Sequence, residues 1–259
     1  MEAHWLMQRL QDQGETPALV WRDATWSYSR LAGAVAAEVA RLAREGVASG
    51  MVLAIRGDYS PGTVALLLAA AVNRNILVPI ASSAAARQDR MLEVAQAGLL
   101  AAFNDADQWE LISCGHGLTH PLLRQLADTG AAGLILFSSG STGESKASVL
   151  SLDRLLDKFR TKRTGFRTLV FLLLDHIGGI NTLFHALCNG GTIVTAADRS
   201  PDAVATAIAT HAVQLLPTTP TFLNMLLISD AASRHDLSSL EIITYGTEPM
   251  PQTTLAAVA

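Results

Sequence analysis

Residues 136–147 read Leu-Phe-Ser-Ser-Gly-Ser-Thr-Gly-Glu-Ser-Lys-Ala, and every other segment of the chain is best read outward from them. This turn of small residues follows directly on the apolar run Gly133-Leu134-Ile135-Leu136-Phe137. A second β-like run, Ala147-Ser148-Val149-Leu150, succeeds it. Glycines tolerate the dihedrals of such a turn and admit a ligand close to the main chain, so backbone N–H groups can face an anion. Ser138, Ser139, Ser141 and Thr142 add hydroxyl donors, and Lys146 adds a positive point charge. That combination suits a polyphosphate.

Three other readings compete for the loop. A Walker A loop needs Gly, any four residues, Gly-Lys and then Ser or Thr. Counted from Gly140, the second glycine position is Ser145 and the residue after Lys146 is Ala147, so two of the four defining positions fail. A serine-hydrolase elbow needs Gly-x-Ser-x-Gly between a strand and a helix. Ser139-Gly140-Ser141-Thr142-Gly143 lacks the first glycine, and a strand-like run follows it. A surface linker rich in Ser and Gly is the chemically silent alternative.

The stretch resembles the phosphate-binding loop of the AMP-forming adenylating enzymes: acyl-CoA synthetases, peptide-synthetase adenylation domains and luciferase-like proteins. Their pattern runs aromatic, Thr/Ser, Ser, Gly, Ser/Thr, Thr, Gly, any residue, Pro, Lys, Gly/Ala. Phe137 to Ala147 follows it with one clear departure, Ser145 in the proline position. The resemblance continues on both sides, in family order. Thr16 to Val20 and Trp26 to Leu31 resemble the opening of these enzymes, and Val64 to Pro79 resembles their early helix and strand. Asp175-His176-Ile177-Gly178-Gly179 resembles their His-x-x-Gly turn, and Asn189 to Val194 and Leu240 to Met250 resemble two later strand segments.

The resemblance implies an α/β fold of layered mixed sheets flanked by helices, as in the large N-terminal domain of these enzymes. The family's next landmark, an aromatic-Gly-x-Thr/Ser-Glu motif with a magnesium-binding glutamate, belongs beyond Glu248, and the sequence ends at Ala259. The implied organisation is an incomplete N-terminal AMP-binding domain over 1–259 with the C-terminal domain absent, and no detectable ligase turnover by this chain alone.

The implied chemistry is ATP-dependent activation of a carboxylic acid, a fatty or other acyl acid, to an acyl-adenylate. Transfer to CoA or to the phosphopantetheine thiol of an acyl or peptidyl carrier protein would follow. Such catalysis is mostly positioning and electrostatic stabilisation of phosphoryl charge. By resemblance, Ser138, Ser139, Gly140, Ser141, Thr142 and Gly143 hold the β- and γ-phosphates of ATP, Lys146 neutralises them, and Thr142 meets Mg2+. His176 takes the family's position beside the acid and adenylate. A hydrogen-bonded core histidine is the equal alternative, since the apolar run Val170 to Leu174 precedes it. Asp175 suggests a dyad, but neighbours on a strand point to opposite faces, so the dyad and a triad with Ser141 carry little weight. His185 falls within a predicted helix and reads as structural. Gly246, Thr247 and Glu248 end a predicted strand, where α/β sheets place ligand contacts. By resemblance they line the acid and adenine pocket; Glu248 could instead be a carboxylate at the N-terminus of the next helix. A natural short nucleotide- or acid-binding module without complete ligase activity is the alternative to the ligase reading.

Composition bounds these readings. A chain of 259 residues can bury a substantial core. Hydrophobic content is 49% with only 16% charged residues, yet the richest run, Thr63 to Val72, is far shorter than the roughly 18 residues of a membrane span. An apolar face left without its partner at the chain's end is one explanation for the excess, and it predicts self-association through that edge. Net charge is −4, and the densest basic cluster, Arg160, Lys162, Arg163 and Arg167, reads as a solvated loop, which excludes nucleic acid as the expected partner. Cys114 and Cys188 have neither metal-ligand spacing nor a local partner, and Met1 to Trp5 carries no signal core, so a cytoplasmic setting is the default.

Strand-like and helix-like patterns alternate throughout. Leu31, Val35, Val39 and Leu42 recur on one helix face, with Ser27 as N-cap and Gly46 as stop. Ser60-Pro61, Ser200-Pro201 and Pro220 start further helices. Strands are predicted over 51–55, 76–80, 99–103, 169–173, 192–195, 214–216 and 241–244. Ala81 to Arg87 reads as a flexible connection on composition alone.

Overall fold

The computed structural model describes residues 3–139 and 145–258. Its strands are β1 (Pro17–Trp21), β2 (Ala24–Ser27), β3 (Val52–Arg56), β4 (Ile76–Ile80), β5 (Leu99–Phe103), β6 (Trp109–Ser113), β7 (Gly133–Ser139), β8 (Ser145–Ser151), β9 (Arg167–Leu169), β10 (Thr192–Val194), β11 (Leu215–Thr218) and β12 (Ile242–Tyr245). The helices are α1 (Ala3–Gln11), α2 (Tyr28–Arg44), α3 (Pro61–Val72), α4 (Gln88–Ala95), α5 (Pro121–Asp128), α6 (Leu152–Leu156), α7 (Ile177–Cys188), α8 (Pro201–His211), α9 (Pro220–Ile228), α10 (Ala231–Arg234) and α11 (Gln252–Val258).

The strands form two six-stranded sheets, β12-β11-β9-β10-β1-β2 and β6-β5-β3-β4-β7-β8. Neighbours in the middle of each sheet run parallel, and the antiparallel pairs β1–β2, β5–β6 and β7–β8 lie at edges. Parallel strands are covered on both faces, and the alternation along them shows by what. Leu53 and Ile55 of β3, Leu134 and Leu136 of β7, Leu19 of β1 and Ile193 of β10 share one core with α1, α2, α3 and α7. That core is the middle layer between the sheets. Val52 and Ala54 of β3 and Ile135 of β7 face outward onto α4 and α5. Val20 of β1 and Val194 of β10 face outward onto α8, α9 and α10.

The middle layer accounts for the high apolar content. Ten of the twelve residues of α3 are buried, which requires a helix apolar on every side. No helix among the described residues is long and apolar enough to cross a membrane. The cap signals hold: Ser60, Ser200 and Thr219 accept from the backbone N–H groups of Thr63, Ala203 and Phe222. Ser27 caps α2, and Gly46 follows it at φ +73°. Tyr28, wholly buried at the start of α2, donates its hydroxyl to the carbonyl of Gly191 at 2.7 Å, tying α2 to the turn before β10.

Two expectations need correction. Residues 82–87 are not a loose connection: they form a 3-10 helix with Ala84 buried against the outer face of the second sheet. The strand expected over 169–173 is β9, which ends at Leu169. Beyond it the chain turns, with the His176 N–H donating to the Leu173 carbonyl, and that turn lies on the first turn of α7. Gly179 permits the contact, since a Cβ there would sit 1.9 Å from the Leu173 carbonyl oxygen.

Candidate nucleotide and acid site

The stretch that opened the sequence reading sits on the edge of the second sheet. β7 and β8 pair antiparallel, with Ser138 opposite Lys146 and Ser139 opposite Ser145. Opposed residues of such a pair project from the same face, so the Ser138 hydroxyl and the Lys146 ammonium share one side of the sheet, and both residues are exposed. A strand rather than a helix follows the turn, which is not the geometry of a nucleophile elbow. Gly140, Ser141, Thr142 and Gly143 lie outside the described residues, as does the side chain of Ser139. Among the described residues no group of three or more His, Cys, Asp or Glu could hold a metal ion. The expected magnesium contact, Thr142, is one of the residues outside that description.

The remaining expected residues lie at the carboxyl rim of the first sheet. His176 is the N-cap of α7 and its side chain is 60% exposed, which removes the alternative of a buried core histidine. Asp175 and His176 stand on a turn and a cap, not on a strand, so the opposite-faces argument against their pairing does not apply. His176 Nε2 lies 3.8 Å from Asp175 Oδ1, and that oxygen is buried without a hydrogen-bond partner among the described residues. Nearby, Tyr59 donates its hydroxyl to the Gly179 carbonyl at 2.9 Å, and burial holds its phenol well above the ordinary range. His185 is half-buried within α7 with its ring edge-on to Phe159; burial and then Arg163 lower its pKa, in keeping with a structural residue. The thiol of Cys188 is buried and pushed up to about 12, and so is not a nucleophile.

Gly246, Thr247 and Glu248 follow β12 directly. Gly246 has open space where a Cβ would stand, and it is not among the positive-φ glycines. Thr247 has φ +69°, unusual for a β-branched residue and the sort of backbone strain found at ligand sites. The Glu248 carboxylate accepts from the Thr221 N–H at 3.1 Å and from the Thr221 hydroxyl. It therefore caps the first turn of the preceding helix, α9, instead of the helix that follows. Sequence reasoning missed two features of this rim: the unpartnered Asp175 Oδ1, and the unpartnered, buried Thr218 Oγ1 at the end of β11. Nothing in sequence signals that a buried side chain lacks a partner. Among the described residues no hydrogen bond or ion pair joins Lys146, His176 and Glu248 to one another.

Comparison with known proteins follows the same frame. Phenyloxazoline synthase MbtB of Mycobacterium tuberculosis is 28% identical over 256 residues, covering 92% of this chain and 18% of that protein. Indoleacetate–CoA ligase of Aromatoleum aromaticum is 27% identical over 276 residues, covering 93% of this chain and 54% of the ligase. The chain thus spans about a fifth and about half of these two relatives. Among solved structures, the inhibitor-bound N-terminal domain of FACL13 from Mycobacterium tuberculosis superposes with a TM-score of 0.82 at 18% identity, over 99% of this chain and 72% of that one. The Klebsiella oxytoca NpsA N-terminal subdomain, in complex with 3-hydroxyanthranilyl-AMSN, gives 0.80 at 19% identity, over 98% and 68%. The AMP-binding enzyme family model matches residues 6–259, and the layered sheets are those of the N-terminal domains of adenylate-forming enzymes. The chain belongs to the AMP-binding enzyme family.

Proposed function

We propose that this chain carries the phosphate-binding part of a site that joins a carboxylic acid to the α-phosphate of ATP, releasing pyrophosphate and forming an acyl-adenylate. The acyl group then passes to the thiol of CoA or of a pantetheinyl carrier protein. The observation that carries the reading is the β7–β8 register, which sets the Ser138 hydroxyl and Lys146 on one face at the carboxyl end of a parallel strand. Ser138, Ser139 and the 140–143 stretch hold the β- and γ-phosphates, and Lys146 offsets their charge. Thr142 is the residue that would hold magnesium, which, when bound with ATP, would add charge neutralisation there. His176, exposed at the start of α7, faces the acid. Gly246 leaves room for the nucleotide, a reading supported by the absence of any φ or packing demand for glycine there. Thr247 and Glu248 complete that wall.

A cytoplasmic setting fits the two free cysteines. Self-association at the β12 edge fits Ile242, Tyr245 and Leu255, which are exposed beside the groove between α9 and α11.

The test is a calorimetric titration of the full chain with AMP and with the sulfamoyl-adenosine analogues of acetate, octanoate and benzoate. At least one analogue should bind about tenfold or more tighter than AMP, because its acyl part adds contacts to the same site. If none binds more tightly than AMP, there is no joint acid–nucleotide site.

A further inference from the structure

Asp175 is the one carboxylate in the described structure with a buried oxygen that nothing satisfies. The residue is only 8% exposed. A buried charged group without a partner is costly, and such a group in a folded protein calls for a physical explanation. None of the neighbouring donors reaches that oxygen. Tyr59 gives its hydroxyl to the Gly179 carbonyl and Thr182 gives its hydroxyl to the Gly178 carbonyl; Arg199 gives its Nε–H to the Phe171 carbonyl and, among the described residues, forms no hydrogen bond or ion pair with Asp175. The His176 N–H is taken by Leu173. The polar group shown nearest to it is the imidazole of His176, with Nε2 at 3.8 Å from the orphaned Oδ1. His176 is the N-cap of α7, and its 60% exposed side chain makes no capping hydrogen bond to the helix.

We propose that Asp175 is a positioning residue for His176: its buried Oδ1 accepts the Nε2 proton of the imidazole once the ring closes the 3.8 Å gap to hydrogen-bond length. The pairing orients an exposed ring that the helix does not hold and fixes which nitrogen carries the proton. Nδ1 is thereby turned toward the rim of the sheet, where the acid and its adenylate bind. Burial of Asp175 is what makes the arrangement directional, since among the described residues no other group hydrogen-bonds to its oxygen.

The proposal rests on the reading of His176 as a residue of the acid site, and two measurements separate them. Proton–nitrogen NMR of the full chain reports the pairing alone. A hydrogen-bonded imidazole Nε2–H, protected from exchange with water, should be visible for His176 in the wild type and in Asp175→Asn, whose amide oxygen still accepts. It should be lost in Asp175→Leu, which keeps the buried volume and removes the acceptor. Identical His176 spectra in the wild type and in a folded Asp175→Leu would overturn the proposal, as would loss of the signal in Asp175→Asn. Titration of His176→Ala with the three sulfamoyl-adenosine analogues tests the placement of His176. A visible Nε2–H with unchanged analogue affinity in His176→Ala would keep the dyad and remove it from the acid site.

Discussion

Two glycines of the first sheet's motifs, Gly179 and Gly246, stand in opposite surroundings. A Cβ on Gly179 would meet the Leu173 carbonyl oxygen at 1.9 Å, whereas one on Gly246 would meet nothing within 4 Å. The first is glycine because two backbones touch. The second is glycine although neither packing nor its dihedral requires it. The same division separates the two regions that hold them. In the middle layer, α3 is buried almost throughout and its cap is fully made, by Ser60 on the Thr63 N–H and by Asp107 on the Gly62 N–H. At the carboxyl rim, Asp175 and Thr218 keep unpartnered atoms, Thr247 is held at positive φ, and His176 stands in solvent. Among the described residues, both buried side-chain polar atoms without a partner lie at the rim and none lies in the middle layer.

Substitution at the two glycines is the sharpest way to break this contrast. Gly179→Ala should lose about 3 kcal/mol of unfolding free energy, because the clash is with backbone and cannot be relieved by a rotamer change. Urea denaturation followed by circular dichroism measures it. A variant as stable as the wild type would mean that the 172–174 turn does not rest on α7 as described. Gly246→Ala should leave stability within about 0.5 kcal/mol, the usual range for a surface change, while weakening the sulfamoyl-adenosine analogues. Unchanged affinity there would leave Gly246 without a ligand-facing role.

Much of this fold was legible because its punctuation is local. Ser60-Pro61, Ser200-Pro201 and Thr219-Pro220 are N-cap and N1 pairs, and each caps the helix it announces. The buried strands at 76–80 and 99–103 match β4 and β5, since short apolar runs bounded by polar residues leave few alternatives. Elements without such marks were missed. α4 has Arg87 as its N-cap and no side-chain cap hydrogen bond, and α5 is capped by His120, an unusual choice. β9 was placed late because Val170 to Leu174 is apolar for tertiary reasons: Val170 and Leu174 pack into the middle layer from a turn. The site divides in the same way. The motif positions of Ser138, Lys146, His176 and Gly246 came from the resemblance to the family's motifs, but the capping of α9 by Glu248 joins residues 27 apart and depends on the fold. The Asp175–His176 contact was discounted for want of one fact, that the strand had already ended.

The account turns on whether the β7–β8 edge binds the phosphates of ATP. Calorimetric titration of ATP with magnesium into the full chain and into Lys146→Ala, at one temperature and salt concentration, addresses it most directly. Lys146 is exposed and on an edge strand, so its replacement should not disturb folding. The account predicts a loss of about 1.5–3 kcal/mol in binding free energy, the range for hydrogen bonds to charged groups, with the thermal midpoint of the free protein unchanged. Equal ATP affinity in the two proteins would contradict it and take the opening stretch of this sequence out of the nucleotide site.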